Sequence, residues 1–324
     1  MSSSVEKKSS LWFDAWLRLR RNRAAVLGLW VLLLIGAACI ILPSIEGFLQ
    51  DPNKIDPIHR NLKPTSEHWF GTDQLGRDLF ARVLFGGRIS IAVGLITTMV
   101  SVTIGICWGA IAGYCGGRID EFMMRVVDIL FGLPFLVIII LLSLILSPMT
   151  ADLTVWCVDF VAGKDPTLAQ LTKTRNWVEP LVTLVPVFIA IGALSWLTIS
   201  RIVRAQVQSL VNLEFVEAAR SLGLGHLRIL FRHILPNTLG PIIVYTTLTI
   251  PSVMMLEATL SFLGLGVKAP NSSWGVLIQE GANYMLTNPL QLVFPSLFFS
   301  LTLFSLNFLG DGLRDALDPK ASKD

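Results

Sequence analysis

The sequence predicts an all-α integral membrane protein built on six transmembrane helices. Hydrophobic residues fill 53% of the 324 positions and charged residues only 15%, with mean hydropathy +0.64. Soluble domains carry roughly 25% charged residues, so this composition suits lipid. Six apolar runs approach the roughly 20 residues that a helix rising about 1.5 Å per residue needs to cross the hydrocarbon core. The short alternating segments of a membrane barrel are missing.

The first run, 25–42, follows LRLRRNR. Basic residues before an apolar stretch also open signal peptides, but no small-x-small cleavage site precedes the next polar stretch. The run therefore reads as a retained span after a cytoplasmic segment 1–24. Residues 43–88 form an outer loop with an amphipathic segment, ending in RDLFARVLFGGR (77–88). The remaining runs are 89–113, 126–147, 181–200, 239–262 and 292–310, each interrupted by Gly or Pro, which membrane helices tolerate. They define a five-span core over 89–312, with an outer insertion at 148–180 and a polar inner loop at 201–238. A short inner tail, 313–324, ends the chain.

Lys and Arg set the orientation. With the N-terminus inside, the inner segments hold 16 of the 26 basic residues and the longer outer segments hold 10. This bias follows the positive-inside rule and places both termini in the cytoplasm. Arg77, Arg82 and Arg88 run against it, since they fall outside. The net charge of +3 is mostly this topological signal and does not suggest nucleic acid.

Cys39 and Cys107 lie within spans, Cys115 at an inner end and Cys157 in the outer insertion, with no CxxC spacing. His59, His68, His226 and His233 show no metal-ligand spacing. The one Gly-Lys pair, Gly163–Lys164, is followed by Asp165 and lacks the upstream glycine of a phosphate-binding loop. GxSxG and HExxH are absent, so the chain reads as a non-enzyme without metal or cofactor.

The inner loop holds the informative stretch, EFVEAARSLGLGHLRILFRHILPN (214–237). Residues 213–222 read as a short helix with an apolar stripe of Phe215, Val216, Ala219 and Leu222 and an outward face of Glu214, Glu217 and Ser221. Asn212 suits the N-cap, the two glutamates suit the positive helix start, and Gly223 suits a left-handed stop. A second turn sets Leu227, Leu230, Phe231 and Ile234 against Arg228 and Arg232. Pro236 opens the next span, where its missing N–H does no harm. The alternative is a helix lying flat on lipid headgroups. Ala218 and Ala219 offer the small surface that close docking of a partner needs.

EAARSLG, nine residues and HILP together resemble the EAA loop of bacterial ABC importer permeases. Glu217, Ala218, Ala219, Gly223, Leu235 and Pro236 match that pattern, and His233 stands where it has Ile. GTDQLGRDLFARVLFGGRISIAVG (71–94), SFLGLG (261–266), SSWG (272–275) and LNFLGDGLRDALDPK (306–320) resemble the dipeptide and oligopeptide permease group, with the C-type membrane subunit most similar. The resemblance spans nearly the whole chain. Its departure is the longer segment 148–180, which includes Trp156, Cys157 and Trp177 and to which it gives no role.

What the resemblance implies is a type I ABC importer permease of the bacterial inner membrane. This subunit would pair with a homologous permease, two ABC ATPase subunits and a solute-binding protein, with ATP and magnesium held by the ATPases. The 214–224 helix would be the coupling element seated in the ATPase, with Phe215, Glu217, Ala218, Ala219, Ser221, Gly223, Leu235 and Pro236 as contact or framing residues. Relatives in the group carry nickel as well as peptides. An ion-gradient transporter, the other class, would show inverted repeats or several charges within spans.

Within the spans, Pro251, Met254 and Glu257 are the candidate path or gate residues. A carboxylate in mid-bilayer costs about 2.5–3.5 kcal/mol, so Glu257 faces either a cavity or a neighbouring group. Pro251 is the expected flexing point. Arg125 and Asp128 reach for the inner surface, and Asp311 caps a short GDGLRDAL helix.

Overall fold

The computed structural model describes residues 11–45, 47–162, 174, 178–179, 182–268 and 271–317. Among these the architecture is helical: α1 (Leu11–Arg21), α2 (Arg23–Ile41), α3 (Leu79–Cys115), α4 (Gly117–Phe131), α5 (Phe135–Leu146), α6 (Met149–Ala162), α7 (Val185–Leu210), α8 (Glu214–Ser221), α9 (His226–Phe262), α10 (Trp274–Asn283) and α11 (Leu290–Leu317). Five are long and apolar enough to cross a membrane: α2 with its 3₁₀ extension to Ser44, α3, α7, α9 and α11. The sixth expected span, 126–147, is instead a broken pair, α4 and α5 meeting at 85°. Pro134 cannot continue a helix, and it drives Leu133 out of the helical region.

The helices run longer than their apolar cores suggest. α3 starts at Leu79 rather than 89, capped by Asp78, whose carboxylate accepts from the Ala81 N–H at 2.7 Å. The arginines that made 77–88 look like a loop are held in place, Arg77 by Asp73 and Arg82 by Asp73 and Glu280. Arg88 lies along the C-terminal end of α2, donating to the Cys39 carbonyl at 2.6 Å and the Ser44 hydroxyl at 2.8 Å. The last carbonyls of a helix have no partner of their own and welcome a cation. α11 continues through Asp311 to Leu317, so Asp311 sits inside a long helix and caps nothing. The insertion holds α6, which contains Cys157 and a Trp156–Phe160 stack with centroids 5.6 Å apart. Trp177 lies outside the described residues, as do the segments 1–10 and 318–324.

Chain direction puts the loops at two ends of the bundle. Residues 47–78 and α10 lie at one end, and α8 lies at the other. The central seam is α3 against α7. Gly105, Gly109 and Gly113 recur every four residues, so one face of α3 is bare backbone. A Cβ on Gly105 would stand 2.7 Å from Ile199 Cγ2, and one on Gly113 2.8 Å from the Arg204 carbonyl. The seam sits between two apolar clusters. Val187, Ile191, Leu194 and Leu197 of α7 join Val127 and Ile139 from α4 and α5. Ile35, Leu84, Met254, Trp274 and Phe299 tie α2, α3, α9, α10 and α11 together at the other flank.

Candidate functional site: the elbow between α7 and α9

α8 is an eight-residue helix, Glu214–Ser221, bounded differently at its two ends. Glu214 and Glu217 occupy its first turn and Arg220 its last, matching the helix dipole at both ends. The expected Asn212 cap is absent: Leu213 holds the N-cap position in an extended conformation, and no side chain caps the helix. The C-terminal end is closed instead. Gly223 takes φ +74°, its N–H reaches the Arg220 carbonyl at 2.9 Å, and the Leu224 N–H reaches Ala219 at 3.2 Å. These two bonds are the Schellman pattern, which needs a residue that tolerates the left-handed conformation.

The elbow is fastened to the bundle by a small core. Val216, Ala219, Ile229, Leu230 and Ile234 are buried against Ala110 of α3, Val203 and Val207 of α7, and Ile242 of α9. This corrects the expected stripe. Val216 and Ala219 do point inward, but Phe215 and Leu222 point out, Leu222 at 80% exposure. Leu227 and Phe231 likewise face outward at 72% and 63%, while Ile229 takes their place inside. The two alanines also separate, Ala219 buried and Ala218 exposed beside Glu217 and Ser221. The outward surface thus combines Glu217, Ala218 and Ser221 with an apolar rim of Phe215, Leu222, Leu227 and Phe231.

Leu235 is half-buried and Pro236 exposed. Pro236 does not begin a new helix, because α9 is helical from His226 onward. Its ring is accommodated by a π-helical turn, Leu230–Ile234, closed by the Leu235 N–H on the Leu230 carbonyl. Widening the helix by one residue just before a proline relieves the clash its ring makes with the preceding turn. Nothing in the sequence reading anticipated that turn. The elbow is thereby continuous with a helix that runs to Phe262 through Pro241 and Pro251.

Two further fastenings lie beside it. The Tyr114 hydroxyl and His226 Nδ1 are 2.9 Å apart, joining the end of α3 to the start of α9. Arg204 of α7 donates from Nε and Nη2 to both carboxylate oxygens of Asp120 in α4, and Gln208 adds a 3.0 Å bond. Asp128 pairs with Arg201 at 2.7 Å, whose guanidinium lies 4.2 Å over the Phe131 ring, while Arg125 stays exposed near Glu121.

The intramembrane candidates do not line an open surface. Pro251, Met254 and Glu257 are all buried within the chain. Glu257 accepts from the Ser261 hydroxyl at 2.6 Å and the Ser90 hydroxyl at 3.4 Å, and the Trp274 N–H donates to Ser90 at 3.0 Å. A buried carboxylate is tolerable only with such partners. Its place is a polar knot between α3, α9 and the start of α10. No group of metal-ligating side chains occurs among the described residues.

Comparison with known sequences agrees with this geometry. Residues 105–323 match the family described as the binding-protein-dependent transport system inner membrane component, and residues 10–64 match the N-terminal transmembrane domain of oligopeptide transport permease C. The chain is 39% identical to the dipeptide transport system permease protein of Bacillus subtilis, covering 98% of this chain and 89% of that one. It is 42% identical to the oligopeptide transport system permease protein of Escherichia coli K12, with 96% and 92% covered. Identity to the glutathione transport system permease protein of Pectobacterium atrosepticum is 36%, with 95% and 91% covered. The chain therefore belongs to the family of binding-protein-dependent transport system inner membrane components.

Proposed function

We propose that this chain is a membrane subunit of an ATP-driven importer of peptides, and that α8 is where an ATPase subunit docks. The relatives are named for dipeptide, oligopeptide and glutathione transport, and glutathione is itself a small peptide. In this reading the elbow end of the bundle is cytoplasmic, as the clustering of Lys and Arg in its loops favours. A homologous permease completes the path across the bacterial inner membrane. Two ATPases bind ATP and magnesium, a solute-binding protein delivers cargo, and this chain performs no catalysis.

The observation that carries the proposal is the build of the elbow. A short helix, locked at Gly223, presents Glu217, Ala218 and an apolar rim outward while Val216 and Ala219 anchor it to α3, α7 and α9. A rigid unit of this kind transmits a push into three spans at once, which a floppy loop does not. A helix lying on lipid would leave no reason for a buried root of this size.

The test is uptake by the assembled complex in lipid vesicles. A radiolabelled dipeptide should accumulate only when ATP is on the α8 side, and deletion of 214–224 should abolish accumulation. Uptake driven by an ion gradient without ATP would refute the importer reading. ATP-driven accumulation of nickel chloride with no peptide uptake would refute the substrate alone.

A further inference from the structure

The chain enters its first span through α1, which does not continue into α2. A single non-helical residue, Asn22, separates the two helices at φ −79° and ψ 100°, so the chain turns there. Its side chain caps α2 by accepting from the Ala25 N–H at 3.2 Å. The turn is seated on the far end of α11. Ala15, Leu19 and Ala25 are buried with Ala316, and Leu313 and Leu317 pack against them. A Cβ on Gly312 would stand 3.2 Å from Leu19 Cδ1 and 3.5 Å from Asn22 Nδ2, so the fit is close. Chain direction puts α1 at the same end of the bundle as α8.

Two spans fix the depth of α1. Its last residue, Arg21, comes just before the span that opens at Arg23, and its seat, Leu313–Leu317, lies where α11 has left its apolar run. α1 therefore sits where hydrocarbon gives way to headgroups. At that level it shows two kinds of side chain. Phe13, Trp16 and Leu17 are 57%, 50% and 42% exposed, and with Arg20 they fall at i, i+3, i+4 and i+7, one stripe of the helix. Arg20, Arg21 and Arg23 are exposed too, and among the described residues none of the three pairs with a carboxylate. Arg77, Arg82, Arg201 and Arg204, by contrast, are each held by one. Asp14 of α1 and Asp311 and Asp315 of α11 stand nearby, but with Arg18 and Arg314 counted this corner stays net positive.

We propose that α1 lies in the leaflet on the elbow side and binds anionic phospholipid through Arg20, Arg21 and Arg23. Large apolar side chains beside unpaired guanidiniums suit neither water nor hydrocarbon, but they suit the boundary between them. Phe13, Trp16 and Leu17 enter the acyl edge while the guanidiniums fork onto headgroup phosphates. A zwitterionic lipid offsets its phosphate with its own ammonium, so a net-negative headgroup is the better ligand. A protein seated here would have to bury three guanidiniums beside a bilayer that already supplies their counter-charge. Because Leu19 sits on α11 beside Gly312, lipid drawn to α1 also holds the ends of α2 and α11. The interaction is the same whatever solute the complex carries.

The experiment uses the assembled complex in vesicles, with the four native cysteines of this chain replaced and a bimane fluorophore on L17C. The vesicles mix phosphatidylcholine with a minor fraction of phosphatidylglycerol, and bromines that quench the fluorophore are placed on the phosphatidylglycerol or on an equal amount of phosphatidylcholine. At about 0.1 M salt the brominated phosphatidylglycerol should quench at least about five-fold more strongly, the enrichment that one arginine near a charged surface supplies. At about 1 M salt, where the screening length falls to about 3 Å, that excess should largely vanish. R20Q/R21Q/R23Q should abolish it at low salt. The salt comparison needs no arginine substitution and stands even if the glutamine variant does not insert. Equal quenching by the two lipids at low salt overturns the anionic assignment, as does an excess that salt leaves intact. An excess that survives in an inserted glutamine variant overturns the role of the three arginines. No quenching by either lipid means that protein covers this face, and overturns the proposal whole.

Discussion

The guanidinium of Arg82, 3% exposed at the start of α3, grips Glu280 of α10 through both nitrogens, at 2.6 and 3.2 Å. It also donates to Asp73 at 2.8 Å, and Asp73 accepts from Arg77 at 2.7 Å. One cation thus holds the loop before α3, the head of α3 and α10 together. Removing one partner of a buried pair leaves the others uncompensated, at about 3–5 kcal/mol. Arg82→Ala should therefore lose most folded protein in detergent thermal melts. Glu280→Ala should be milder, since Glu280 is partly exposed and Asp73 still pairs with Arg82. Equal losses in the two variants would refute this ordering.

The α3–α7 seam gives a sharper test. A side chain on Gly109 would run into the Ser200 carbonyl, and Val203 Cβ would lie at 2.9 Å. Gly192, also buried on α7, has nothing closer than 3.8 Å. Gly109→Ala should lower the detergent melting temperature by an amount corresponding to about 1–3 kcal/mol, the usual cost of overpacking. Gly192→Ala should leave it unchanged. A melting curve that treats the two alike would mean the helices are not seated as described.

Much of this was legible in the sequence because lipid imposes long apolar runs, and the five long spans follow them. The break at Gly132–Pro134 was missed: the residue before a proline leaves the helical region, but a run of apolar residues over 126–147 hid the punctuation and read as one span. The early start of α3 was hidden for a different reason. Arg82 looks like a loop residue until Glu280 arrives from far along the chain. At the elbow, helical periodicity located the amphipathic arc but not its edges. Whether Phe215 or Val216 turns inward depends on how α8 is mounted on α7 and α9, which no wheel contains. The left-handed Gly223 was read correctly because its cause is local.

Glu257 belongs to the same class of long-range facts, since its partners come from three elements. The Ser90 and Ser261 hydroxyls are both spent on its carboxylate. Glu257→Gln keeps an acceptor for them and should assemble and transport close to the parent. Glu257→Leu strands both hydroxyls in a dry site, at about 1–3 kcal/mol, and should lower the melting temperature. If the glutamine variant assembled and melted normally yet failed in uptake, the carboxylate would have a direct transport role that this knot does not provide.

The elbow offers the test closest to function. A side chain at Gly223 would meet nothing within 4 Å, so substitution there changes backbone preference and not packing. Its φ of +74° costs an L-residue about 1–2 kcal/mol, most for β-branched side chains and least for Asn. Gly223→Val should loosen the Schellman end of α8 while Val216 and Ala219 keep the elbow on the bundle. The assembled complex should then go on hydrolysing ATP with much less dipeptide accumulated per ATP, and Gly223→Asn should restore most of the coupling. Parent-level uptake by the valine variant would mean that the stiffness of α8 is not what couples the ATPase to the spans.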